Sequence, residues 1–482
     1  MRWKTILIVE LIWLFGLLPG VAWSQIEDLG EYTAQAAFLE IGEDPEKPNA
    51  EIFHMSYTLD GADASERPVT FVWNGGPGAS SVYLHMLALG PRMIEIPGDG
   101  TLPKVPARLI DNPQTWLHFT DLVFIDPVGT GYSRALPQEE GEDADPKPFY
   151  DADRDLETFG QVIRTWLTQN ERWSSPKGIA GESYGGRRVA ALSLMLMEDF
   201  SINLNWATLI SPALNDDIPD PDSPYGVLGA VGVLPSYAAV AAYHGETERA
   251  VSEEPALGDF LEEVEGFALG DFASGLVQLS QLSEEETAAL FSRIAGMTGL
   301  PAEDVEWARG RIAFGSFITG LLEDRRLVVD PYDGTQTALP PLPGNEVGFA
   351  IDHTLTGMSG VLSAPFLDYL GGELGVETPR TYEFLNRDVN RAFDRDTRHG
   401  GPEDVARALA INPDLKVLVV HGMHDLVTPY FKTRYALEQT VRGEDEVARL
   451  EFEDYQGGHM FYMYSDSRNA FYETARAFYS AR

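Results

Sequence analysis

The sequence predicts an α/β fold: a mostly parallel central sheet flanked by helices, with an inserted helical cap. Three observations carry this. Short apolar strand candidates at residues 69–73, 121–125, 177–180, 206–210 and 415–420 run into loops rich in Gly, Ser, Asp or His, where a parallel sheet presents its functional groups. Helix-permissive stretches, such as 151–167 and 187–197, lie between them; the second has Val189, Leu192 and Leu196 at helical spacing. From about 215 to 345 the pattern turns mostly helical, after an acidic, proline-containing boundary and before the proline-rich run 340–344.

The expected organisation is therefore a leader over 1–24, a first core part over 25–214, the helical cap over 215–345 and a second core part over 346–482. Arg2 and Lys4 form a basic n-region, residues 6–18 an apolar h-region that includes Glu10, and Ala22-Trp23-Ser24 a site for cleavage before Gln25. This predicts an exported protein, periplasmic or secreted, with no stable membrane association after the leader is removed. No other stretch reads as long and apolar enough to cross a bilayer. The first two strands are expected antiparallel, at 32–41 and 50–59. Within the cap, helices are expected at 237–243, 253–269, 284–295 and 303–322, with Trp307, Phe314 and Phe317 in its core rather than lining a pocket.

Composition narrows the function. Hydrophobic residues make up 44% of the chain, enough for a substantial core. With 75 acidic and 35 basic residues the net charge is −40, which argues against nucleic acid and anionic membranes as partners. There is no cysteine, so stability rests on packing without disulfides. Asp151, Asp153, Asp155 and Glu157 are spaced like a calcium loop, but Leu156 and Val162 stand where that loop needs Gly and Glu. No metal or cofactor is expected.

The chemistry concentrates at Gly181-Glu182-Ser183-Tyr184-Gly185. This is G-x-S-x-G, the strand-to-helix turn that exposes a serine hydroxyl at the top of an α/β-hydrolase sheet. Such a site needs an acid and then a histidine, in that chain order. Asp425 follows the strand candidate 415–420, and His459 follows the one at 450–452. Ser183, Asp425 and His459 are thus the candidate nucleophile, orienting acid and general base. The nearby His421 and His424 are read as satisfying local hydrogen bonds. The backbone N–H of Tyr184, the residue after the nucleophile, is one candidate oxyanion donor.

Two further blocks point to a family. Residues 71–81, FVWNGGPGASS, resemble the W-x-N-G-G-P-G-x-S-S block of serine carboxypeptidases, and residues 124–133, FIDPVGTGYS, resemble their D-x-P-x-G-x-G-[FY]-S block. With GESYGG and GGHM, four blocks stand in that family's order, over about residues 50–470. The chain is similar to a bacterial-type member. The resemblance implies removal of C-terminal residues from peptides through an acyl-enzyme, with Gly76 N–H as the second oxyanion donor. It implies that Asn74 and Glu182 grip the free C-terminal carboxylate, with Gly75 and Met460 also in substrate binding. Relatives are often monomers or dimers. A carboxyl donates a hydrogen bond only when protonated, so a buried Glu182 predicts activity favoured by acidic pH. The chain departs from the family at Ala79, where cysteine is common; at Ala88, where many relatives have an acid; and at Phe461-Tyr462, where Val-Pro is usual. Alternatives are an acyltransferase or esterase on the same scaffold, or a non-catalytic binding protein.

Overall fold

The computed structural model describes residues 20–26, 29–42, 44, 46–139, 141–214, 218–249, 251, 256–340 and 352–480. Nine strands form the main sheet: β1 (Gly20–Ile26), β2 (Gly30–Ile41), β3 (Ala50–Leu59), β4 (Val69–Trp73), β5 (Asp121–Ile125), β6 (Lys177–Glu182), β7 (Trp206–Ile210), β8 (Lys416–Gly422) and β9 (Leu450–Tyr455). The two-residue strand Arg134–Ala135 adds to β3. The order across the sheet is β1-β2-β3-β5-β4-β6-β7-β8-β9. From β5 to β9 every pairing is parallel, whereas β1, β2 and β3 join antiparallel at one edge.

Burial explains the sequence pattern. All residues of β4, β5, β6 and β7 are buried, as expected of parallel strands covered on both faces. Successive residues feed opposite faces. Val72, Phe124, Ala180, Ile210 and Leu418 pack on one side, with Phe471 and Phe478 of the C-terminal helix; Phe71, Val123, Ile179, Leu209 and Val419 pack on the other, with Phe159, Trp166, Val189 and Leu409. The second face is covered by α1 (Ala152–Gln169) and α2 (Tyr184–Phe200). Asp151 caps α1 by accepting from the Arg154 N–H at 2.9 Å. Asp155 of the same acidic run is buried and ion-paired with Arg188 of α2 at 2.6 Å.

Between β7 and β8 the described chain adds α3 (Val227–His244), α4 (Ala256–Phe267), α5 (Glu284–Thr298), α6 (Ala302–Trp307) and α7 (Phe314–Gly320), which share an apolar cluster that also takes in Leu426, Tyr430 and Phe431. The expected boundaries at 215 and 346 both lie outside the described residues, as does the leader up to residue 19. The cleavage point before Gln25 falls within β1.

Three expectations need correction. α3 is long and apolar enough to cross a membrane by length and composition, with mean hydropathy 1.4; in the fold it is 72% buried against the protein. The helix expected over 303–322 is broken into α6 and α7, because Arg309 and Gly310 take left-handed φ values of 53° and 75°. Phe317 is buried and stacked on Tyr237, but Trp307 is 90% exposed and belongs to no core.

Candidate active site

The serine turn is built by the end of β6 and the start of α2. Ser183 has φ 61° and ψ −125°, a conformation costly for a residue with a Cβ and held here by its surroundings. Its N–H donates to Ile210 O at 2.9 Å, and its carbonyl accepts from Gly186 N and Ala213 N at 2.9 and 3.0 Å. Gly181 is required by space: a Cβ there would lie 2.3 Å from Gly185 O. Ser183 is half-buried, in contrast to the sealed residues around it.

Asp425 follows β8 and is fully buried. Its Oδ1 accepts from the backbone N–H of Val427 at 2.8 Å and of Thr428 at 3.0 Å. Its Oδ2 faces Thr428 Oγ1 at 2.5 Å and His459 Nδ1 at 2.6 Å. Burial pushes this carboxyl up, but the His459 charge and these hydrogen bonds outweigh it and hold the group below the usual carboxylate range. His459 follows β9 and is also buried. Burial lowers its pKa, but Asp425, and then Glu182, raise it above the ordinary value. His421 and His424 are sealed and kept neutral by burial, which lowers them to about 3 and about 4; Nδ1 of His424 accepts from Gly457 N at 3.2 Å.

Several residues that hold this arrangement carry no motif. Ser211, just past β7, donates from N to Val420 O at 2.7 Å and from Oγ to His459 O at 2.9 Å, tying the strand under Ser183 to the histidine loop. Tyr332, on the loop joining the short strands Val328–Val329 and Thr337–Ala338, accepts the His459 N–H at 2.6 Å and sets its ring edge-on to the imidazole at 5.6 Å. Only the assembled fold brings that loop here.

Asn74, Gly75 and Gly76 follow β4, the neighbour of β6. A Cβ on Gly75 would lie 2.5 Å from Tyr184 N and 2.7 Å from Gly185 N, so glycine alone lets this loop lie against the serine turn. Gly76 takes φ 104°. As the first residue of α2, Tyr184 has an N–H that the helix itself does not use. Nδ2 of Asn74 donates to Glu182 Oε2, and Tyr462 donates to Glu182 Oε1 at 2.7 Å. Glu182 is buried, and burial pushes its carboxyl up to about 7 against the opposing pull of His459, Tyr462 and Asn74. Met460 lines a cleft of about 220 Å³ with Leu102, Asp333, Met358 and Met463. The fold brings Asn74 to Glu182 and Gly75 to Tyr184 at the serine turn, and His459, with Met460 next to it in the chain, to Asp425. Tyr462 was legible beforehand only as a departure from Val-Pro.

The family model for serine carboxypeptidases matches residues 32–221. That stretch carries Asn74, Gly76, Glu182, Ser183 and Tyr184, while Asp425 and His459 lie beyond it. Among curated relatives, pheromone-processing carboxypeptidase KEX1 of Puccinia graminis f. sp. tritici is 31% identical over 32% of this chain and 21% of its own length. KEX1 of Ogataea parapolymorpha is 27% identical over 52% and 38%, and serine carboxypeptidase-like 36 of Arabidopsis thaliana 30% identical over 32% and 30%. The matched parts thus span between about a fifth and two fifths of these relatives' lengths. The crystal structure of the prohormone-processing carboxypeptidase Kex1(delta)p from Saccharomyces cerevisiae aligns over 92% of this chain and 91% of its own, with TM-score 0.56 and 16% identity. That likeness bears on the fold, which is of the α/β-hydrolase type.

Proposed function

We propose that this chain is a serine-type carboxypeptidase that removes C-terminal residues from peptides. Ser183 Oγ attacks the scissile carbonyl carbon while His459 takes its proton. The tetrahedral oxyanion is received by the N–H groups of Gly76 and Tyr184. Collapse breaks the C–N bond, and His459 returns the proton to the departing amine of the last residue. Water, deprotonated by His459, then hydrolyses the acyl-enzyme. Asp425 keeps the imidazole in the tautomer with its basic nitrogen toward Ser183 and stabilises its cation.

The observation that carries the exopeptidase reading is the buried Asn74–Glu182 contact beside the serine turn. A protonated Glu182 and the Asn74 amide are donors suited to a free carboxylate, and burial favours the protonated form. The names of the matched relatives accord with this. The helices between β7 and β8 act as the cap over the cleft. The leader pattern supports export, to a periplasm or the outside.

The test is hydrolysis of an N-blocked dipeptide with a free C-terminus beside its C-terminal amide, at acidic and alkaline pH, for wild type and Ser183→Ala. Serine-dependent release of the last residue, faster from the free acid, is expected. Equal rates on acid and amide would keep the serine chemistry and discard the clamp.

A further inference from the structure

Tyr462 lies in the 3-10 turn Phe461–Met463, two residues past Met460, and is fully buried. Its hydroxyl reaches Oε1 of Glu182, while Oε2 accepts from Asn74. Each carboxyl oxygen thus has its own donor, and the two together fix the carboxyl beside the Asn74 amide. The same Tyr462 hydrogen bond also stabilises the carboxylate once the proton is lost. One contact thus holds the acid in place and sets the pH at which it ionises.

We propose that Tyr462 is a positioning residue that holds the Glu182 carboxyl beside Asn74 and sets the pH above which the clamp releases the substrate carboxylate. This rests on the carboxylate-clamp reading of Asn74 and Glu182. The other charged or titratable groups facing Glu182 are His459, whose cation favours its ionisation, Asp425, which opposes it, and Tyr83 across the site. None of them touches Oε1; the hydrogen bond there comes from Tyr462.

The experiment measures KM for the free-acid and amide dipeptides between about pH 5 and pH 9 for wild type, Tyr462→Phe, Tyr462→Gln and Glu182→Gln. The Phe variant keeps the ring's packing and removes only the donor. Loss of one hydrogen bond to a charged group moves its ionisation by on the order of one pH unit. The alkaline rise in free-acid KM should therefore begin about one pH unit higher in Tyr462→Phe, and the ratio of free-acid to amide KM at alkaline pH should fall about tenfold. Tyr462→Gln, which retains an N–H donor, should keep the limb near its wild-type place. A Phe limb that coincides with wild type, or one that moves equally for acid and amide, overturns the role of Tyr462. A wild-type limb persisting in Glu182→Gln overturns the clamp reading itself.

Discussion

The Asp425 carboxylate and the His459 imidazole meet at 2.6 Å with both side chains buried. They arrive from the ends of β8 and β9, adjacent parallel strands in which His421 pairs with Asp454. The loops after those strands need only a short reach to bring acid and base together. Asp425 spends its other oxygen on two backbone N–H groups, which fixes the carboxylate plane.

Asp425→Asn keeps the shape and loses the charge that sets the imidazole tautomer. We expect kcat to fall by about 10³–10⁴ with KM nearly constant. A loss below about tenfold in steady-state peptide hydrolysis would remove Asp425 from the orienting role.

Gly75→Ala drives a methyl group into the backbone N–H groups of Tyr184 and Gly185, which are not free to yield. The loop must move away from the serine turn, and with it the proposed second oxyanion donor. A fall in kcat of roughly 10² or more follows, together with slow labelling of Ser183 by a fluorophosphonate. Wild-type rates in both assays would show that the loop does not serve the oxyanion.

Asp155 and Arg188 form an ion pair with both partners buried, and Arg188 also donates to Asn74 O at 2.9 Å. Removing one partner strands a charge. Asp155→Ala should cost about 3–5 kcal/mol in urea unfolding. It should also raise KM for the free-acid peptide more than for the amide, because the guanidinium anchors the clamp loop. A stability change under about 1 kcal/mol would be inconsistent with a sealed pair.

The pH profile follows from two groups that must hold opposite states. His459 is a base only when neutral, and its pKa is raised above the ordinary 6.5, although burial works against this. Glu182 donates only when protonated, and burial lifts it to about 7. kcat/KM for a free-acid peptide should therefore fall on both sides of a narrow optimum near neutrality: at lower pH as His459 gains a proton, at higher pH as Glu182 loses one. The amide should show only the acid-side fall. An alkaline limb of the same size on the amide would dissociate it from Glu182.

The sequence by itself determined many of the local elements and marked the candidate site residues. The apolar runs 69–73, 121–125 and 206–210 coincide with β4, β5 and β7, because strands buried on both faces leave an uninterrupted apolar signature. The glycines at 75 and 181 were legible because close backbone approach tolerates no side chain. The tertiary structure alone decided which distant groups complete the site. Tyr332 reaches His459 across 127 positions of chain and Tyr462 reaches Glu182 across 280, and neither carries a local signal. Burial was likewise a tertiary outcome: Asp155, one acid in a polar run, is sealed by Arg188, whereas the apolar Trp307 stands in solvent. Local pattern reports what a residue can pair with; only packing against elements far along the chain decides whether water or protein becomes the partner.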